Sequence, residues 1–321
     1  MKALVSILGM ATRVYKYGLV PIGYPPEAAI EELWRANNLW NTLVALHRES
    51  RENWDDARRS ASIAYSEKMD ELDAKQQEIS QAFDALRQVR MEEGTKDESN
   101  PKLKLERDII NRLKKEQGVI FAELKPLRKS ADDNVDKKAL NEDYRNKCNQ
   151  AISAKQSGVY SSTSGQIYAN FRTAREKVAK ETANMRFHSF DGTGYFQFRC
   201  RKKDTSVTED GITVDEFMQA NFREYMRCAV QSIDNSKKKP RIRVKAVLTG
   251  GATKASKVFQ EFDWVYHRPL PPDAQIQNGK ILRTRVGDKF RYDLVLTIKV
   301  PDTELIKADK LNGTIGIDVG F

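Results

Sequence analysis

Between Arg51 and Glu92 the chain carries the pattern that most restricts its fold. Tyr65, Met69, Leu72, Gln76, Ile79, Phe83 and Leu86 follow one another at spacings of four and three, a heptad seam with Gln76 as its one polar, register-fixing member. The stretch predicts a single helix of about 60 Å that must bury this seam against a partner. A turn at Gly94–Pro101 follows, and Ile109, Leu113, Ile120 and Leu124 supply the partner, expected to stop near Pro126. The expectation is an antiparallel hairpin of two long helices.

Further helices flank this hairpin. Before it, Pro26 and Glu27 open a helix with Ile30, Leu33, Asn37, Trp40, Val44 and His47 along one face. Its edge at Asn37, Asn38 and Asn41 fits either polar packing or contact with nucleic acid. After the hairpin, 130–135 reads as a linker, 136–154 as a shorter helix, and 157–165 as a Ser/Gly-rich loop. Ile167, Phe171, Ala174 and Val178 then line a helix whose other faces are basic.

Both flanks of this helical middle read as strands. Residues 3–20 form a strand or bent pair. From Met185 to Gly194 the texture changes, and Tyr195, Phe196, Phe198 and Cys200 alternate with polar residues. A short helix is expected over 215–230, and strands over Arg241–Leu248, Val258–Tyr266, Gln275–Val286 and Phe290–Val300. The fold class is therefore α+β, with one basic, β-barrel-like domain formed by residues 1–25 and 186–310. A helical lobe over 26–185 interrupts it, and 311–321 begins something further.

The charge follows this division. The net charge is +10, yet Glu27–Glu181 holds 28 basic and 28 acidic residues. Residues 1–26 hold three basic residues and no acid, and 186–321 hold 24 against 17, so the surplus sits in the β flanks. A located basic excess favours a polyanionic partner, because neutralised phosphates release counterions. Cys148, Cys200 and Cys228 are scattered without a Cys-x-x-Cys pair, which argues against a disulfide framework and against a zinc site in this chain. No apolar run approaches membrane-spanning length, and a cytoplasmic setting is expected.

Candidate phosphate contacts are Arg13 and Lys16 in the first strand, Arg172 and Arg175 on the basic helix, Arg201, Lys202 and Lys203 after the first later strand, and Arg283 and Arg285. In Lys237, Lys238, Lys239, Arg241, Arg243 and Lys245 the cations feed a strand with one apolar and one cationic face. That suits either a phosphate track or an edge guarded by lysines. Trp264, Tyr266, His267 and Arg268 form an aromatic–cationic loop that suits either base stacking or capping of the core. Finally, Gly316-Ile317-Asp318-Val319-Gly320 places one acid between glycines. It reads as a buried strand and its turn, or as the first acid of a metal site.

The order of these parts, ending in Gly316-Ile317-Asp318-Val319-Gly320, resembles the type V CRISPR RNA-guided effectors and their TnpB relatives. Leu33-Trp34-Arg35-Ala36-Asn37-Asn38-Leu39, Leu43-Val44-Ala45-Leu46, Met185–Gly194 and His267-Arg268-Pro269-Leu270-Pro271 point to the miniature type V-M members. The resemblance implies a split wedge domain, a helical recognition lobe and the start of an RNase H-like RuvC domain. It implies guide RNA and target double-stranded DNA as partners, one protein per ribonucleoprotein in a prokaryotic cytoplasm, recognition of a short flanking motif, and interference mainly by binding. Asp318 matches the first metal-binding acid, and the remaining acids needed to hold Mg2+ would lie beyond Phe321, so this chain is not expected to cut. The alternatives are an RNA-guided RuvC endonuclease whose catalytic half is absent from this chain, and a helical scaffold with a basic domain and no guide. The neutral lobe suits a cradle for the heteroduplex only if its cations gather on one face, with Arg172 and Arg175 as the candidates.

Overall fold

The computed structural model describes residues 10–94, 100–179, 185–200, 211–220, 227–249 and 257–301. The elements in chain order are β1 (Met10–Ile22), α1 (Glu27–Ala61), α2 (Ile63–Glu93), α3 (Pro101–Asp132), α4 (Lys137–Ile152), the one-turn α5 (Ala154–Ser157) and α6 (Ser161–Ala179). Then come β2 (Gly194–Arg199), β3 (Ile212–Thr213), α7 (Val214–Met218), β4 (Cys228–Asp234), β5 (Arg241–Thr249), β6 (Val258–Val265), β7 (Gln275–Val286) and β8 (Lys289–Pro301). The fold is α+β and forms two compact units, one of residues 1–44 with 150–321 and one of Ala45–Asn149. No helix among the described residues is long and apolar enough to cross a membrane.

In the helical unit α2 and α3 make the expected hairpin. Tyr65, Leu72, Ile79 and Leu86 are buried at a strict spacing of seven, against Leu103, Ile110, Leu113, Ile120 and Leu124. The seam is narrower than the heptad suggested, since Gln76 is exposed and so cannot act as a buried register residue. The single 60 Å helix is also broken. Ser62 is extended, at φ −151° and ψ 113°, and its side chain accepts from the Tyr65 amide, so a good N-cap starts a new helix where one was expected to run through. Conversely, α3 continues past Pro126 to Asp132, because Leu124 and Ala131 are buried on either side of it. The missing hydrogen bond at Pro126 is outweighed by that packing.

Salt bridges reinforce the hairpin in register. Lys68 meets Glu123 at 2.7 Å and Lys75 meets Glu116 at 2.9 Å, while Arg58 joins Asp55 and Asp132. These pairs set part of the unit's opposite charges side by side.

Among the described residues the other unit is built on an eight-stranded antiparallel sheet, in the order β2-β7-β8-β1-β6-β5-β4 with β3 beside β7. β1, separated from its neighbours by all of α1–α6 in sequence, runs against β8 from Met10↔Pro301 to Leu19↔Tyr292 and then against β6. Strand parity decides the faces. Tyr15, Tyr17 and Leu19 of β1, Ile242, Val244 and Ala246 of β5, and Leu294, Leu296 and Ile298 of β8 turn into one core with Trp264, Phe262 and Phe196. Gly279 sits where a Cβ would come 2.9 Å from the Leu296 side chain and closer still to Phe198. Gly279→Ala is expected to cost about 1–3 kcal/mol of overpacking, read as a lower midpoint in thermal unfolding.

Two local expectations change here. α6 begins at Ser161, inside the region read as a loop, because Ile167 and Phe171 anchor it against the core while Thr163 bonds β2. Among the described residues the helix expected over 215–230 covers Val214–Met218, held by a Thr213/Glu216 capping box, and a strand starts at Cys228.

The sheet remains open between its edge strands β2 and β4, and one side chain clasps the opening. Arg227, fully buried just before β4, donates to Glu32 Oε1 of α1 at 2.6 Å, to Thr163 Oγ1 of α6 at 2.7 Å and to the Gln197 carbonyl of β2 at 3.1 Å. It also bonds the carbonyls of Val247 and Leu248, and lies 4.3 Å over the Tyr160 ring. A β-barrel-like domain is thus realised as a curled half-barrel pinned by a buried guanidinium.

Candidate nucleic-acid interface

The predicted cations separate into three groups once the strands are placed. The first lies at one end of the sheet, where the β4–β5 turn meets the β6–β7 loop. Lys237, Lys238 and Lys239 are exposed in that turn. The Tyr266 amide donates to the Pro240 carbonyl at 3.1 Å and ties the loop alongside it. Arg241 begins β5 here, with a buried Nη1 that has no hydrogen-bond partner among the described residues. A guanidinium nitrogen without a partner is costly unless a ligand or water satisfies it.

His267 and Arg268 are exposed on the loop, and the core beneath fixes their positions. Tyr17 donates its hydroxyl to the Arg268 carbonyl at 2.9 Å, and the Arg268 guanidinium lies 4.4 Å over the Tyr15 ring. The Tyr266 hydroxyl accepts from the Leu270 amide at 2.7 Å. Burial raises the Tyr17 hydroxyl well above its ordinary pKa, with Tyr266 and Tyr15 adding to the shift, so it stays a neutral donor. Trp264 itself is fully buried against Tyr17, Phe217 and Tyr266. Its ring belongs to the core and is not presented for base stacking.

The second group points outward from β5 but is partly neutralised. Arg243 pairs with Asp263 at 2.9 Å and approaches Glu261 at 3.7 Å, since both acids lie across from it on β6. Lys245 faces Glu261 in register and lies 4.9 Å from the Phe259 ring. The alternation of faces is as expected, yet the cationic stripe is bordered by its own counter-charges. The sequence of β5 alone could not reveal them.

The third group is dispersed. Lys16 is exposed and sits 3.3 Å from Asp293, which Arg291 also contacts. Arg13 is half-buried on the inward side of β1. Arg172 and Arg175 are exposed on α6, and Arg285 is exposed at the end of β7. Arg283 is buried instead: it donates to Tyr292 Oη at 2.9 Å and to the Gly192 carbonyl, and stacks 3.4 Å from the Phe290 ring. It fastens the Met185–Gly194 segment rather than meeting solvent.

The asparagine edge of α1 does similar work. Asn37 and Asn41 donate to the His188 carbonyl at 3.0 and 2.9 Å, and the His188 amide donates back to Asn41. Trp40 stacks on the His188 ring at 5.0 Å and donates to the Arg186 carbonyl. Asn38 is half-buried beside them. Of the two roles weighed for this edge, the polar-packing one accounts for Asn37 and Asn41. Arg201, Lys202, Lys203 and Asp318 lie outside the described residues. Among the described residues no group of three or more His, Cys, Asp or Glu side chains is placed to hold a metal ion.

Sequence reasoning overlooked a polar cleft of about 170 Å³ between α6 and the outer face of β2, β7 and β8. Gln166, Asn170, Tyr195, Asn278, Lys280 and Thr297 line it. The signal available was the Asn278-Gly279 pair inside a strand pattern, since an interior glycine marks a bulge or a close approach. Arg227 and Glu32 carried no local signal at all.

No known family model matches the chain. Comparison with curated proteins finds CRISPR-associated DNA-binding protein Cas12m of Pelobacter propionicus, 26% identical over 349 residues covering 97% of this chain and 50% of the relative. The protein of the same name from Mycolicibacterium mucogenicum is 22% identical over 321 residues, covering 92% of this chain and 51% of the relative. That from Thermanaerosceptrum fracticalcis is 30% identical over 171 residues, covering 52% of this chain and 28% of the relative. The chain spans about half the length of the first of these. It is homologous over nearly its whole length to Cas12m, the type V-M CRISPR DNA-binding effector.

Proposed function

We propose that this chain holds the guide RNA within an RNA-guided effector that binds double-stranded DNA beside a short flanking motif and interferes by occupying its target. The observation that carries the reading is the alignment of 97% and 92% of this chain with about half the length of proteins named as CRISPR-associated DNA-binding proteins. On this reading the sheet formed by β1 and β2–β8 is the wedge domain and the intervening helices are the recognition lobe. Residues 311–321 lead into a RuvC domain in which Asp318 is the first acid. Cleavage is not part of the proposal, and Mg2+ would be required only with further acids. The protein acts as a single copy in a ribonucleoprotein of the prokaryotic cytoplasm.

Two features support the division of labour. The Lys237–Arg241 turn with His267 and Arg268 gathers cations at one end of a rigid sheet, which suits a phosphate backbone. On the hairpin Lys68 and Lys75 face Glu123 and Glu116, while α6 carries Arg172 and Arg175 on its exposed side, which makes α6 the candidate for the heteroduplex backbone. The expected outcome on purification is an absorbance spectrum dominated by co-purifying RNA whose sequences share one repeat-derived scaffold. A spectrum of bare protein, or a random transcript population, would overturn the guide-binding reading and favour a scaffold protein.

A further inference from the structure

The cleft beside α6 is lined by amides, a phenol, a hydroxyl and one ammonium. Its floor is two cross-strand rows on the outer face of the sheet: Gln197, Lys280 and Val295 in one, Asn278 and Thr297 in the next. A register shift between Ile276 and Asn278 on β7 re-aims the strand at this point. Its wall is α6, which presents Gln166 and Asn170 one helical turn apart.

The polar groups form a chain with defined direction. Gln166 donates to Asn170 Oδ1 at 2.9 Å, and Asn170 donates to Tyr195 Oη at 3.4 Å. Because Tyr195 accepts from Asn170, its own hydroxyl proton is left to donate into the cleft. Burial pushes that phenol up to about 12, against a smaller lowering by Asn170, so it remains a donor at any physiological pH. Lys280 lies 5.5 Å over the Tyr195 ring, and no carboxylate is among the lining residues.

Size and chemistry narrow the occupant. About 170 Å³ is well below the range of drug-sized pockets, roughly 300–1,000 Å³, and suits one planar heterocycle or a smaller group. Primary amides offer donors and acceptors side by side, the pattern that pairs with a base edge. One ammonium without a nearby acid suits one phosphate. Unpaired RNA bases are the ones whose edges are open to such readout.

We propose that this cleft captures one unpaired nucleotide of the bound RNA, with its base edge read by Asn170 and Asn278 and its phosphate held by Lys280. The proposal rests on the reading that the chain binds guide RNA. It adds a base-reading subsite apart from the cationic end of the sheet.

The test uses the full chain and fluorescence anisotropy with four labelled homopolymeric oligoribonucleotides. One base is expected to be preferred by about tenfold or more, and Asn170→Ala and Asn278→Ala are each expected to reduce that preference to about threefold or less. Lys280→Ala is expected to weaken all four alike and to flatten the salt slope by about 0.7, one phosphate contact. Asn170 is exposed, so its alanine variant should fold. Should Asn278→Ala not fold, ultraviolet crosslinking of wild-type protein to the preferred oligonucleotide, with the adduct mapped to Tyr195, gives an independent reading. Equal affinity for all four bases, or a preference that survives Asn170→Ala, would overturn the subsite while leaving RNA binding intact. Failure to bind any oligonucleotide would overturn both, and binding of free nucleoside monophosphates as tightly as the oligonucleotides would show a nucleotide site unrelated to a strand.

Discussion

Glu32→Ala is expected to destabilise the sheet unit by about 3–5 kcal/mol, the usual cost of leaving a buried charge without its partner. Glu32 and Arg227 are each about 2% exposed, and among the described residues Glu32 is the carboxylate that pairs with the Arg227 guanidinium. Burial lowers the Arg227 pKa from its ordinary value while Glu32 opposes the shift, so removing the acid leaves a cation in a medium that disfavours it. Arg227→Met likewise leaves the buried Glu32 carboxylate without its partner, and it also strands the carbonyls of Gln197, Val247 and Leu248. The double variant Glu32→Met/Arg227→Met should therefore recover part of the Glu32→Ala loss and not all of it. Urea unfolding followed by tryptophan fluorescence reads this directly, since Trp264 sits in the same core. A loss below about 1 kcal/mol for Glu32→Ala would mean that the half-barrel holds without its clasp.

A second large effect is expected at the cationic end of the sheet. Replacing Lys237, Lys238 and Lys239 by glutamate should flatten the dependence of log affinity for RNA on log salt by roughly 2–3, close to one for every phosphate no longer neutralised. Arg243→Glu should change the slope by less than one lysine's share of that effect, because Arg243 is already paired with Asp263 and Glu261. The comparison is internal to one binding experiment and uses exposed positions, so folding is not at issue for the lysines. An effect of Arg243→Glu equal to one third of the triple-lysine effect would show that the β6 acids do not screen β5. An unchanged slope in the lysine variant would remove this turn from the interface.

The distribution of legible and illegible features has a physical cause. Periodicity is local, so the α2–α3 hairpin and the alternation of β5 and β8 could be read directly from residue spacing. Element ends depend on competition, and a serine N-cap at Ser62 outweighed a continuing heptad while buried Leu124 and Ala131 carried a helix through Pro126. Face assignment followed the same parity: Phe262 and Trp264, two apart on β6, turn inward together, which removes Trp264 from any stacking role. Arg268, a few residues further on, stays exposed because it lies past the strand end.

The candidate site was legible only where its residues are contiguous. The Lys237–Lys239 run keeps its exposure and its charge. Arg243 and Lys245 looked equally available until β6 was placed across from them, since a strand's counter-charges sit on another strand. Arg227 reaches Glu32 across 195 positions, and the α6 cleft unites residues from four separate elements. No spacing rule can anticipate either one.

The most direct measurement uses the RNA that co-purifies with the chain. Its scaffold is kept, its variable segment is rewritten to match a labelled DNA duplex, and binding is followed by anisotropy with the reconstituted protein–RNA complex. Retention of the matched duplex, with much weaker retention of an unmatched duplex and of the matched duplex without RNA, is the expected result. Equal binding of matched and unmatched duplexes, or binding that needs no RNA, would contradict RNA-guided recognition.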